Sequence, residues 1–295
     1  DTDRSRGLGD VYKRQVFEGG AFRTIFSCGV MDALVENDIM PDYMIGVSAG
    51  AAYGVSMASK QPRRNLDVLM KYRNDKRYLG LSNMIDKDNK SIYGLEFSYE
   101  TIPNELNLFD YDAFKQYKGD FYCVVTNLLT GQPEYMKYTG DDRTNTVLKA
   151  TCALPMLFPP IIINDVPYMD GGLSDSIPYL KAIEDGCDRI IVVLTRQSGY
   201  TKTTSRSTKA IAYSYRNQYP KLTETMLTRA SRYNESLKGL DQYVKEGRII
   251  TIQPTTSKGF SRLEKDKNKI LSMYNDGYNQ CYELLDTIKE FYGIK

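Results

Sequence analysis

Short apolar runs, each followed by a glycine-rich turn or a helical pattern, recur along this chain. Val16-Phe17-Glu18 closes the first run, and Gly19-Gly20-Ala21-Phe22-Arg23 follows it. Phe22, Ile25, Phe26, Gly29, Val30, Ala33 and Leu34 then fall at the spacing of one helix face. Tyr43-Met44-Ile45 reads as a second short buried strand, with Ala51, Ala52, Val55, Met57 and Ala58 as the helix after it. Further extended runs lie at 121–126, 189–195 and 248–252, and Ile161-Ile162-Ile163, an Asn164-Asp165 turn and a run from Val166 suggest a hairpin. Apolar strands alternating with helical patterns predict an α/β fold whose mainly parallel central sheet is covered on both faces. A chain of 295 residues can bury a large core, and one α/β unit with elaborations fits it better than two independent domains.

Composition narrows the function classes. The chain is 41% hydrophobic and 26% charged, with a net charge of +2 that gives no case for nucleic acid. No apolar run reaches the ~18–20 residues of a membrane-spanning helix. Cysteines at 28, 123, 152, 187 and 281 are odd in number and scattered, which suits a reducing cytoplasm better than a disulfide framework. They show no metal-ligand spacing, and histidine ligands are excluded because the chain has 0 histidines. Residues 1–15 have no initiator Met and no apolar pattern, and read as an adapter- or vector-derived leader outside the fold. Between Arg196 and Arg248, eleven Lys/Arg and four Asp/Glu interleave with Tyr200, Tyr213, Tyr215, Tyr219, Tyr233 and Tyr243. Such a stretch is either a solvated helical face or a surface for peripheral contact with anionic lipid headgroups.

Three short motifs carry the candidate chemistry. Gly46-Val47-Ser48-Ala49-Gly50 is a G-x-S-x-G sequence between a strand and a helix, the setting that holds a nucleophilic serine on a sharp turn. A plain glycine-rich turn with a helix-capping serine would look the same. With no imidazole in the chain a Ser-His-Asp triad is excluded, so Ser48 as a nucleophile needs another base. A Ser–Lys pair lacks its S-x-x-K spacing, since position 51 is Ala. Tyr168-Met169-Asp170-Gly171-Gly172 puts a carboxylate at a strand end, with glycines that admit a neighbouring segment, although Asp-Gly-Gly alone is usually a turn. The Gly19-Gly20-Ala21 loop lacks dinucleotide G-x-G-x-x-G spacing. Its helix-entry N–H groups suit either an anion or a purely structural turn. Met156, Leu157, Phe158 and Pro159-Pro160 read equally as an acyl-pocket wall or as core.

Taken together, these motifs closely resemble the patatin-like phospholipases. The similarity extends through Thr126-Asn127-Leu128-Leu129-Thr130-Gly131, Ala150-Thr151-Cys152-Ala153-Leu154-Pro155, Gly186-Cys187-Asp188, Arg232-Tyr233-Asn234 and Gly277-Tyr278. It is strongest toward bacterial members with a helical C-terminal extension. The resemblance implies a three-layer α/β/α catalytic domain at 16–195, with 196–295 completing the same unit. It also implies a lipid ester as substrate and no cofactor. Ser48 corresponds to the nucleophile, Asp170 to the base, and the amides of Gly19, Gly20 and Ala21 to the oxyanion hole. Gly46, Gly50, Gly171 and Gly172 are the motif glycines. Two positions depart from the family pattern: Ala21 and Thr24 stand where glycine is usual. Alanine there keeps a donor N–H comfortably only at negative φ. A catalytically weak relative that binds lipid or a partner is therefore the alternative reading.

Overall fold

The computed structural model describes residues 12–87, 89–186 and 188–294. Residues 1–11 of the expected leader and Cys187 lie outside the described residues. Eight strands form one sheet: β1 Arg14–Phe17, β2 Tyr43–Val47, β3 Asp120–Asn127, β4 Pro133–Lys137, β5 Ile161–Ile163, β6 Val166–Asp170, β7 Ile190–Val193 and β8 Ile249–Ile252. The helices are α1 Ile25–Glu36, α2 Ala49–Ala58, α3 Arg64–Tyr72, α4 Ser82–Ile85, α5 Tyr111–Gln116, α6 Thr146–Cys152, α7 Tyr179–Glu184, α8 Arg206–Ser214, α9 Pro220–Lys245, α10 Lys267–Glu283 and α11 Leu285–Tyr292.

β3, β2, β1, β7 and β8 lie side by side and parallel, while β4, β5 and β6 pair antiparallel. β1 is flanked on both edges, by β2 and β7, and all four of its residues are buried. It begins at Arg14, two residues before the boundary drawn from the apolar pattern. The Arg14 guanidinium is accommodated there by donating to the carbonyls of Ala182 (3.3 Å) and Asp185 (3.1 Å). β4 had no counterpart among the expected strands. It is a largely half-buried edge strand with proline at its first residue, a position that needs no ladder donor.

Successive strand residues point to opposite faces, and the core divides accordingly. Phe17, Met44, Ile191 and Val193 pack under α1, α2, α10 and α11 with Phe26, Met31, Val55, Ile270 and Ile288. Val16, Ile45, Val47 and Val192 pack under α7 and α9 with Tyr179, Tyr233 and Leu240. The result is an α/β/α sandwich. The segment after residue 195 contributes to all three layers: β8 extends the sheet from β7, α9 covers one face, and α10 lies along α1 on the other.

Candidate active site

The sheet brings Ser48 and Asp170 together across 121 intervening residues. On one edge β3 pairs with β4 from Tyr122 to Thr126. Its other edge carries β2 as far as Val47 opposite Val124, and then β6 from Asp170 opposite Val125. β2 and β6 therefore abut end to end on one edge of β3, with their C-terminal ends meeting. Ser48 is the first residue beyond β2, and Asp170 is the last of β6.

Ser48 is half-buried at φ 54°, ψ −129° on the turn into α2. This left-handed backbone is rare for a side-chain-bearing residue, and surrounding contacts must hold it. Gly46 and Gly50 lie on either side, in β2 and in the first turn of α2. The Ser48 N–H donates to the Thr151 hydroxyl at 2.9 Å. Thr151 lies in the 150–155 run, and nothing in its sequence setting marks it for this contact. Ser48 sits at the N-terminal end of α2, where the helix dipole favours negative charge.

Asp170 is 2% exposed. Its Oδ1 accepts the Gly172 N–H at 2.8 Å, its carbonyl accepts the Thr126 hydroxyl at 2.8 Å, and its own N–H donates to Ala153 O at 2.9 Å. Oδ2 has no hydrogen bond of ordinary geometry to the protein. Burial raises the carboxyl above its ordinary value; interaction with the Ser48 hydroxyl, the Arg229 charge and the Gly172 amide oppose that rise. Long or poorly aligned hydrogen bonds between catalytic groups are common in ligand-free sites. Gly171 is required by close approach, because a Cβ there would lie 2.1 Å from Val124 O. Arg229 was missed as a site residue. Its Nε donates to Gly172 O at 2.5 Å, bracing the turn that holds Asp170.

The Gly19–Ala21 loop lies directly against the serine turn. A Cβ on Gly19 would come within 2.8 Å of Ser48 Cβ. Gly20 faces Thr195, and Ala21 opens the short 3-10 turn Ala21–Thr24 that leads into α1, where the sequence suggested a helix from Phe22. Among the described residues the N–H groups of Gly19, Gly20 and Ala21 donate to no protein acceptor. Ala21 takes φ 51°, the conformation in which glycine is least strained. The loop is anchored by Glu18, whose carboxylate accepts from Thr195 N–H (2.7 Å) and Tyr233 OH (2.9 Å).

Two cavities meet at Ser48. The first, about 210 Å³, is mainly apolar and lined by Phe22, Tyr53, Tyr78, Tyr93, Ile102 and Phe158 among others. Leu157 and Phe158 line it and also pack in the core, whereas Met156 is exposed and neither Pro159 nor Pro160 lines it. The aromatic contributors from residues 53–109 gave no periodic signal in the sequence. The second cavity, about 140 Å³, is lined by Arg23, Arg196, Lys202, Arg229 and Arg262 together with Glu18 and Asp170. The basic stretch is thus divided: Arg196, Lys202 and Arg229 turn to the site, while Arg206, Lys209 and Arg216 are exposed.

A family model described as patatin-like phospholipase matches residues 16–183. The chain belongs to the patatin-like phospholipase family. A second model, a domain of unknown function, matches residues 219–293. The uncharacterized protein YjjU of Escherichia coli is 28% identical over 192 residues, which cover 61% of this chain and 51% of that protein. Lysophospholipase nte1 of Aspergillus terreus is 29% identical over 189 residues, covering 60% of this chain and 11% of that protein. The matched region thus spans about half the length of the first relative and about a tenth of the second. Among solved structures, VipD from Legionella pneumophila superposes with a TM-score of 0.47 at 16% identity, over 94% of this chain and 67% of that one. No described helix of this patatin-like protein is long and apolar enough to cross a membrane.

Proposed function

We propose that this protein is a serine acyl hydrolase that cleaves carboxylic esters of lipids through Ser48 and Asp170. The observation that carries the reading is a buried carboxylate, its Oδ2 without an ordinary hydrogen bond among the described residues, interacting with a serine on a strained strand-to-helix turn. Ser48 Oγ attacks the ester carbonyl carbon while its proton passes to Asp170. Burial raises this carboxyl, making it a better proton acceptor than an exposed aspartate. The carbonyl oxygen becomes an oxyanion held by the N–H groups of Gly19, Gly20 and Ala21, which among the described residues have no protein acceptor to release. Collapse breaks the bond to the alcohol, which leaves with the proton from Asp170. Water then attacks the acyl-serine, giving its proton to Asp170, and the second collapse returns that proton to Ser48 as the free fatty acid departs.

The apolar cavity beside Ser48 suits the acyl chain. A fluorophosphonate probe together with turnover of p-nitrophenyl butyrate tests the reading. Stoichiometric labelling at Ser48 and ester hydrolysis lost in Ser48→Ala are expected. An unlabelled, inert wild-type protein would instead favour a non-catalytic lipid- or partner-binding role.

A further inference from the structure

The second cavity carries more positive charge than the ester chemistry requires. Five cationic side chains line it against two carboxylates. Both carboxylates are committed elsewhere: Glu18 holds Thr195 and Tyr233, and Asp170 holds Gly172 and interacts with Ser48. Among the described residues none of the five cations makes an ion pair within 4.0 Å. Arg23 is 6% exposed and its Nε has no hydrogen-bond partner. A buried guanidinium without a partnered carboxylate is costly, and such a group is ordinarily satisfied by an anion that fits its fork. Lys202 lies 3.8 Å from the centre of the Tyr233 ring, and Arg196 lies 4.4 Å from that of Tyr200. These contacts orient the two charges without neutralising them.

Burial, and after it the neighbouring cations, shift the charged groups themselves. Burial and then the neighbouring Arg229 push the Lys202 ammonium down to about 7; Arg262 and Arg196 add to this and Glu18 opposes it. Arg23 is lowered to about 10 by burial and then by Arg196 and Arg262.

We infer that this chamber binds the headgroup phosphate of the substrate and selects lipids whose headgroup is an unmasked phosphomonoester, of the acylglycerol phosphate class, over zwitterionic phosphocholine lipids. The inference rests on the ester-hydrolase reading only in placing the scissile ester at Ser48. A phosphomonoester brings a charge of about −1.5 to −2 at neutral pH, which offsets much of the cationic surplus. A phosphocholine group adds a quaternary ammonium to a chamber already rich in cations, and such like-charge placement is strongly unfavourable. Both cavities include Ser48, Ala21, Leu154 and Arg262. One glycerol linker can therefore hold its acyl ester at Ser48 with its phosphate among the arginines.

Calorimetric titration of the wild-type protein with glycerol 3-phosphate, glycerophosphocholine and inorganic phosphate tests the inference without requiring turnover. Glycerol 3-phosphate is expected to bind at least about tenfold more tightly than glycerophosphocholine. Arg196→Gln and Lys202→Met should each bring that ratio below about threefold, and a ratio measured on one preparation is insensitive to its folded fraction. Equal binding of the two headgroups would overturn the inference. Inorganic phosphate binding as tightly as glycerol 3-phosphate would do the same, assigning the chamber to a free anion. Failure of p-nitrophenyl butyrate hydrolysis bears on the ester-hydrolase reading alone, so the two ideas fail separately.

Discussion

The backbone N–H of Ser48 is held by the Thr151 side chain, whose Oγ1 accepts it at 2.9 Å and donates onward to Val124 O at 2.6 Å. Val124 is also the β3 residue paired with Val47, immediately before the serine. One hydroxyl on α6 thus fixes the strained turn to the strand that sets its register.

Under the proposed function Thr151 is a positioning residue. Thr151→Val keeps the shape but leaves the Ser48 amide and the Val124 carbonyl without this partner. Turnover of a nitrophenyl ester is expected to fall about tenfold or more, mainly in kcat, with Thr151→Ser restoring most of it. A Thr151→Val protein that loses stability but keeps its kcat would make this threonine merely structural.

Ser48→Ala and Asp170→Asn should each abolish ester turnover, and the double variant should be little worse than either single one, because the proposed nucleophile and base would act as one unit. The wild-type rate should fall on acidification, with a midpoint above the ordinary carboxylate range, because burial raises Asp170 and only its ionised form accepts the serine proton. A double variant far below both singles would assign the base to another group.

Ala21 occupies φ 51°, where a Cβ is strained by about 1–2 kcal/mol. Ala21→Gly relieves that strain while keeping the N–H, although glycine also gains freedom in the unfolded chain. Equal or higher kcat is expected, with stability unchanged or raised by up to ~1 kcal/mol. Ala21→Val should lower both, since a β-branched side chain is a marked outlier at positive φ. Chemical unfolding and kcat on the same ester check both variants; a fully active, equally stable Ala21→Val would contradict the strain.

Asp32 on α1 is 4% exposed, and its Oδ2 accepts the Arg63 N–H and the Tyr274 OH, both at 2.8 Å. Burial raises its carboxyl to about 6, against the opposing Tyr274 and Arg63 bonds. The folded state therefore holds this proton more tightly than the unfolded chain, where the value is roughly 3.9. That contribution to stability is complete below the unfolded value and is lost as pH rises through about 6. Asp32→Asn removes the titration, so its stability relative to wild type should improve between pH ~4 and ~7 by up to roughly 3 kcal/mol. Urea unfolding at both ends of that range measures the difference; a pH-independent difference would count against it.

Local features were the most readable in sequence. Gly46, Ser48 and Gly50 lie within five residues, so their turn chemistry is visible without tertiary information. Asp170 was reachable only through chemical need and resemblance, because its partner is supplied by two strands abutting on β3. Thr151 and Arg229 act through hydrogen bonds to distant backbone, which no spacing encodes. Arg14 and Gln15 look polar yet belong to β1. The burial of Arg14 depends on the Ala182 and Asp185 carbonyls, far along the chain. The basic stretch after Arg196 reads as one surface, but only the folded path decides which of its charges turn inward.

The Phe22 N–H, at the end of the glycine-rich loop, donates to the carbonyl of Arg262 at 3.0 Å. The match to the patatin-like family model ends at residue 183, well before that acceptor. The part of the chain matched by the family model is thus not a mechanically closed unit: one tether of its glycine-rich loop comes from downstream sequence. A relative that carries the core without such a segment must anchor the loop by another acceptor. Transplanting the core between proteins should preserve the serine turn more readily than the loop opposite it.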